Sequence, residues 1–224
     1  RARAALAQLG TRLLLVGGSD GSGATDTTFV ADLKGGTFGA WSEGPALPEA
    51  RTGAAIAVIG TSAYLVGGAD ADGSPTDTIW ALPMDTETSE LGSWAPVDGL
   101  VLPEPREGAA VLAVSDGLVV AGGRGPDGSP AATTWKATLD TKGVLGQLSA
   151  QAVLLSPVAD ATIAQLGDYI WLFGGSDAAG PVGAVQRGTL DIPATAETPA
   201  PDAKPVPLQV LRWAVGDAYN LPEA

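Results

Sequence analysis

The 224-residue chain has no cysteine and no histidine. Their absence removes disulfide bridges, zinc sites built on thiolate or imidazole, cysteine nucleophiles and every mechanism that needs an imidazole base. Chemistry is left to Asp, Glu, Ser, Thr, Tyr, Lys and Arg. Positive charge is scarce as well: 12 Lys and Arg stand against 25 Asp and Glu, a net charge of −13. Such a surface repels nucleic acid and anionic lipid. Long apolar runs are also missing. Stretches such as Leu13 to Val16 and Leu118 to Ala121 are broken by Gly, Asp or Pro within a few residues, far short of the roughly 20 that span a bilayer. No transmembrane helix is expected, and the basic opening from Arg1 to Leu9 reads as fold rather than targeting because it aligns with interior segments.

Glycine and proline are plentiful, 31 and 17 residues, with Val, Ala, Leu and Thr between them. That is the composition of many short strands and turns. Four segments carry an apolar strand ending in a glycine pair: Leu13 to Gly18, Tyr64 to Gly68, Leu118 to Gly123 and Ile170 to Gly175. The first glycines of successive pairs lie 50, 55 and 52 residues apart. Sixteen residues before the first three stand Arg1, Arg51 and Arg106, with Val158 in the fourth place. Thirteen residues after the first glycine come Val30, Trp80, Trp135 and Arg187, read as equivalent positions in a third strand. A Gly-x-Trp element then opens a fourth run at Trp41 and Trp94, with Leu148 in repeat three and Trp213 delayed in repeat four. Each unit closes on Leu47-Pro48, Leu102-Pro103, Ser156-Pro157 or Leu221-Pro222.

Four strand-like runs in about 50 residues, repeated in register, are what a propeller blade requires. The glycine doublet, the arginine opening strand one and the tryptophan opening strand four resemble the kelch repeat over essentially the whole chain. The departures are Trp80 and Trp135 where the family often has Tyr, and the degraded third and fourth units. The expected fold is therefore all-β: one kelch-type β-propeller domain of four four-stranded antiparallel blades, forming a small ring or an arc of a larger propeller. The blades are expected at about 1–50, 51–105, 106–157 and 158–224. The chain starts on a repeat's first residue and stops on Leu221-Pro-Glu-Ala224, in phase with Leu47-Pro-Glu-Ala50 before Arg51; four whole units are expected, with no terminal strand left over.

Strand alternation puts the segments before the arginines and the loops after the glycine pairs on one face. Arg1, Arg3, Arg51 and Arg106 then stand near the axis, beside loops carrying Asp20, Asp70, Asp72, Asp127 and Asp177. The kelch resemblance implies that arginines around such a mouth capture acidic peptides, so these nine residues are the candidate partner-binding set. The bland alternative is that each arginine pairs with a nearby carboxylate such as Glu49, Glu104 or Glu107 and pins a blade junction. Asp70-x-Asp72-Gly has the flavour of a calcium loop, but position twelve counted from Asp70 is Ala81 rather than Glu, and Asp before Gly makes turns readily. No metal and no cofactor are assigned. Sialidase-type Asp boxes do not match, since the acidic loops here follow strand two.

The resemblance also closes the galactose-oxidase-like branch of kelch enzymes, which needs His and a modified Cys. The expected function is a non-catalytic scaffold or recognition module for a protein partner or neighbouring subunit. The competing class is a sugar-handling propeller enzyme of epimerase or mutarotase type, or a glycan-binding module; a third is an accessory subunit of a membrane-bound assembly. Acidic, Cys-free, Ala/Gly/Thr-rich composition suits an extracytoplasmic location, with a cytoplasmic one as the alternative. The segment 193–207 holds five prolines and is expected to be an extended, solvated insert in the last blade.

Overall fold

The computed structural model describes residues 1–191 and 210–215. They form strands and turns and, among the described residues, no helix. Four antiparallel sheets follow one another in a β-propeller arrangement. Blade one is built from Ala5–Leu9, Arg12–Val16, Thr28–Lys34 and Ser42–Glu43, with the small strand Thr37–Phe38 beside its third strand. Blade two uses Ala55–Ile59, Ser62–Val66, Thr78–Pro83 and Ala95–Val101. Blade three uses Ala110–Val114, Gly117–Ala121, Thr134–Thr138 and Ser149–Ala150. Blade four uses Thr162–Leu166, Tyr169–Phe173, Val185–Asp191 and Val210–Val215. The insert 193–207 lies outside the described residues.

Each blade's first two strands make a tight hairpin, and the side-chain period of two sends alternate residues to opposite faces. Leu14 and Val16 of blade one face blade two, where Leu65, Trp80 and Leu82 meet them. Val66 and Ile79 face Leu118, Val120 and Trp135 of blade three. Val119 and Ala121 face Ile170, Leu172 and Trp213 of blade four. The core is thus not one mass but, among the described residues, three clusters, each between two successive blades. The first strands of neighbouring blades touch one another and form the inner wall.

The glycine pairs tie the blades together. Gly67 has φ of 59° and sits against the Arg106 carbonyl, where any Cβ would overlap that oxygen; Gly68 N–H donates to the same oxygen at 2.8 Å. Gly18 makes the matching bond to Arg51 and Gly123 to Val158. A side chain at Gly67 would both strain the backbone and push the next blade away.

Strand pairing corrects the expected alignment of the third strands. Leu65 pairs with Trp80 and Val120 with Trp135, while the equivalent Leu15 pairs with Phe29 and Leu172 with Gln186. Phe29 and Gln186, not Val30 and Arg187, therefore stand where the tryptophans do. The path from glycine pair to third strand is one residue shorter in blades one and four, which fixed spacing does not reveal. The one-residue difference puts Arg187 on the other face of its strand, over the Tyr169 ring at 4.8 Å.

Candidate functional site at the axial mouth

The segment before each first strand pairs with the loop after that blade's glycine doublet, through Ala2 with Ser19, Thr52 with Ala69, Glu107 with Arg124 and Ala159 with Ser176. The arginine segments and the acidic loops consequently emerge on one face, and the blades present four equivalent rim positions: Arg3, Gly53, Gly108 and Asp160. All four have left-handed φ, between 52° and 61°. They are linked by backbone hydrogen bonds running from Asp160 N–H to Gly108 O at 2.7 Å, Gly108 N–H to Gly53 O at 2.8 Å and Gly53 N–H to Arg3 O at 3.0 Å.

Two of these positions carry charge, and their neighbours complete a cluster. Arg3 reaches over Gly53 and donates to Glu107 Oε2 at 2.9 Å and to Asp160 Oδ1 at 3.5 Å. Arg124 is paired with the other Asp160 oxygen and with the Ser176 hydroxyl. The resulting four charges alternate in sign. Arg3 and Asp160 border a cavity of about 300 Å³ whose floor is Ala4, Gly53, Ala54, Gly108, Ala109 and Ala161. The small residues keep the floor shallow and leave Arg3 and Asp160 as its polar edge, each with over two fifths of its side chain exposed.

The other candidate arginines fall into two environments. Arg51 and Arg106 are enclosed in the joints between blades, 1% and 4% exposed. The Arg51 guanidinium lies 4.4 Å from the Trp80 ring centroid and donates to Thr78, the Ala50 carbonyl and Glu49. Arg106 repeats this on Trp135, Thr133, the Pro105 carbonyl and Glu104. Arg1 makes the same stack on Phe29 at 4.8 Å, with donors to Thr25, Thr27 and the Gly17 carbonyl, but it is exposed. Position in the repeat sets the bonds of these arginines, and Arg51 and Arg106 are enclosed by the described blade in front of each.

The loop aspartates are turn formers. Asp20 accepts from the Ser22 hydroxyl and amide, Asp127 from the Ser129 amide, and Asp177 from the Ala179 and Gly180 amides. Those bonds hold the Asp20 carboxyl below its ordinary range, chiefly through the Ser22 hydroxyl, and the Asp127 carboxyl likewise, chiefly through the Ser129 amide. In the loop with calcium flavour, Asp70 Oδ1 takes the amides of Asp72 and Ser74, both at 2.9 Å, while Asp72 sits exposed at the tip. Among the described residues, no three carboxylates converge as a metal site would need.

The structure thus gathers Arg3 with Glu107, Arg124 and Asp160, and leaves Arg1 and the loop aspartates around their edge. Asp160 was not singled out by sequence reasoning. Its signal was there: a non-glycine at the place of Gly53 and Gly108. Arg124 follows its glycine pair where the other repeats have Ser19, Ala69 and Ser176.

No known protein family matches the chain, and no curated protein matches it by sequence. Among solved structures it is similar to the one titled "Structure of YjhT", with a TM-score of 0.67 and 16% identity. That likeness covers 98% of this chain and 66% of the other, so this chain spans about two thirds of the length of that protein. At that identity the likeness concerns the fold alone, and it places this chain's four sheets among propellers.

Proposed function

We propose that the chain is a kelch-type propeller that acts as a non-catalytic recognition module, holding an acidic segment of a protein partner against its axial mouth. The observation that carries this reading is the bonding of the mouth carboxylates. Glu107 is held by Arg3, and Asp160 by both Arg3 and Arg124. Each of these carboxylates is already engaged by a guanidinium donor, the same kind of pairing that an acidic ligand would use. The same pairs suit exchange: an incoming carboxylate can take the place of Asp160 on Arg3, which keeps 43% of its side chain in water. Arg1 and Arg3 are the cations open to such a partner, on a chain whose net charge of −13 otherwise discourages acidic ligands. The loop tips carrying Asp20, Asp72 and Asp127 would frame the contact and reject other acidic surfaces. An extracytoplasmic location belongs to this proposal and rests on composition.

Fluorescence anisotropy with a labelled oligo-glutamate peptide tests it. The peptide should bind at low ionic strength, weaken as salt is added, and weaken strongly in the variant with Arg3→Ala and Arg124→Ala. Equal binding by that variant, or no binding at low salt, would remove the recognition reading. Turnover of a neutral sugar at the mouth would replace it with the enzyme class.

A further inference from the structure

The dipeptide Asp-Gly occurs five times in the chain, and three of the five continue into the same tripeptide: Asp20-Gly21-Ser22, Asp72-Gly73-Ser74 and Asp127-Gly128-Ser129. All three stand exposed in the loops that follow the glycine pairs of blades one, two and three. Local sequence and exposure are the same, so a difference in reactivity among these aspartates has to come from their hydrogen bonds.

Asp-Gly is the dipeptide in which the carboxyl most readily meets the following backbone nitrogen, because glycine puts no Cβ in the way. In the first and third loops that carboxyl is tied elsewhere. Asp20 Oδ1 accepts from the Ser22 amide at 3.0 Å and from its hydroxyl at 2.6 Å, and Asp127 Oδ1 accepts from the Ser129 amide at 3.0 Å. The same bonds hold both carboxyls ionised, below their ordinary range, and an ionised carboxylate does not readily give up an oxygen as water. In the second loop the matching donor is already taken. Blade two has Asp70 where blade three has Gly125, and Asp70 Oδ1 accepts the amides of Asp72 and Ser74, both at 2.9 Å. The Ser74 amide is the one whose equivalent in blade three caps Asp127. Among the described residues no donor reaches the Asp72 carboxyl. The nitrogen beside it is loosely held: Gly73 N–H donates to Asp70 O at 3.2 Å, against 2.9 Å for Gly128 to Gly125.

The other two pairs are restrained by the fold. Asp116 bonds Lys136 and keeps 15% of its side chain in water. Asp98 is exposed, but it lies inside the strand Ala95–Val101, whose pairing with Thr78–Pro83 through Pro96 on one side and Val101 on the other holds its backbone.

We propose that Asp72-Gly73 is a self-modification site, at which the folded chain forms a succinimide and then isoaspartate. The Gly73 nitrogen attacks the carbon of the protonated Asp72 carboxyl. The new N–C bond forms as the carboxyl hydroxyl and the amide proton leave together as water. A water molecule then opens the ring. Opening at the side-chain carbonyl restores aspartate, whereas opening at the main-chain carbonyl leaves isoaspartate, with the backbone routed through the former side chain and a free carboxylate where the main-chain carbonyl stood. No electrons are transferred, and the one water lost is regained. The base of the loop is fixed by the pairing of Ala69 with Thr52 and Pro75, so the change stays at the tip. The proposal is independent of what binds at the mouth.

Ageing the full chain at neutral pH and physiological temperature, folded and in urea, tests it. Isoaspartate is counted by methyl transfer from labelled S-adenosylmethionine with an isoaspartyl carboxyl methyltransferase. Electron-transfer fragmentation in the mass spectrometer assigns it to a residue. In urea the three Asp-Gly-Ser sites should react alike, because only the tripeptide is left. In the folded chain Asp72 should keep most of its unfolded rate, Asp20 and Asp127 should lose most of theirs, and mildly acidic samples should show a species lighter by one water whose modification maps to Asp72. Asp72→Ser should abolish most of the methyl acceptance of the folded chain. Equal rates at the three sites in the folded chain, a faster reaction at Asp98, or methyl acceptance unchanged in Asp72→Ser would overturn the proposal.

Discussion

The Trp94 indole of blade two donates its N–H to the Thr28 hydroxyl of blade one at 3.1 Å, and both groups are buried. Two joints further on, Trp213 and Thr134 occupy the same positions, yet the Trp213 Nε1 and the Thr134 Oγ1 are buried without hydrogen-bond partners. The two joints should therefore answer the same substitution differently. Thr28→Val strands the Trp94 donor and should cost about 1–3 kcal/mol, whereas Thr134→Val removes an unpaired hydroxyl and should be neutral or mildly stabilising. Urea unfolding of the two variants reads the contrast. Equal losses would mean that the third joint forms its bond in solution.

Arg51 should matter to stability far more than the carboxylate beside it. Glu49 has 66% of its side chain in water, so Glu49→Gln should cost less than about 1 kcal/mol. Arg51→Ala empties a fully buried site and removes the stack on Trp80 and the donors to Thr78 and Ala50. A loss of about 2–5 kcal/mol is expected, the range for emptied core positions. Thermal melts of the two variants and of their combination give the comparison, and a large loss from Glu49→Gln would make the ion pair the main element.

Much of this was legible in the sequence because backbone geometry imposed it. Gly67 and its equivalents must be glycine where a carbonyl of the next blade fills the Cβ position, so the repeat spacing and the four-blade order stand in plain view. Side-chain exposure was less legible. Arg1, Arg51 and Arg106 look alike in sequence and make alike bonds, but Arg51 and Arg106 each have a described blade in front of them. The third-strand alignment was hidden for a different reason: one residue gained or lost in a loop inverts the faces of a strand, as Gln186 and Arg187 show. Asp160 escaped notice because its partners Arg3 and Arg124 are far away in the chain.

Lys136 is 2% exposed and bonds Asp116 Oδ2 at 2.6 Å. Asp116→Ala leaves a buried ammonium without its counter-charge and should cost about 3–5 kcal/mol. Adding Lys136→Met should recover most of that loss, since the methionine stem fills the same space without charge. A double-mutant cycle by denaturant unfolding measures the recovery. If the double variant is as unstable as the single one, packing by Asp116 outweighs its charge.

Acid should loosen the loops through aspartates held in the ionised form. The carboxyls of Asp20, Asp85 and Asp127 lie below 3.8 in the folded chain; hydrogen bonds hold them there, for Asp85 chiefly from the Thr88 amide. A depressed carboxyl stabilises the fold fully above its unfolded pKa, and that contribution is lost as pH falls from about 3.8 through the lower folded value. The triple variant with Asn at these positions keeps turn-forming side chains without titrating. Its melting temperature should fall less than that of the unsubstituted chain below pH 4, and parallel curves would remove these loops from the acid response.

Asp160→Gly separates the two roles of the mouth. Asp160 holds φ of 56°, a conformation that glycine adopts without strain, and its equivalents Gly53 and Gly108 are already glycine. Loss of its exposed ion pairs with Arg3 and Arg124 and relief of the backbone act in opposite directions, so stability should change by less than about 1 kcal/mol. The effect on recognition should be larger, because both guanidinium groups lose the carboxylate that an acidic partner would have to displace. Affinity for the oligo-glutamate peptide should rise in Asp160→Gly and fall in Arg3→Ala, with the gap widest at low salt. If the glycine variant binds no more tightly while folding normally, Asp160 does not compete for the arginines, and acidic segments are not what the mouth receives.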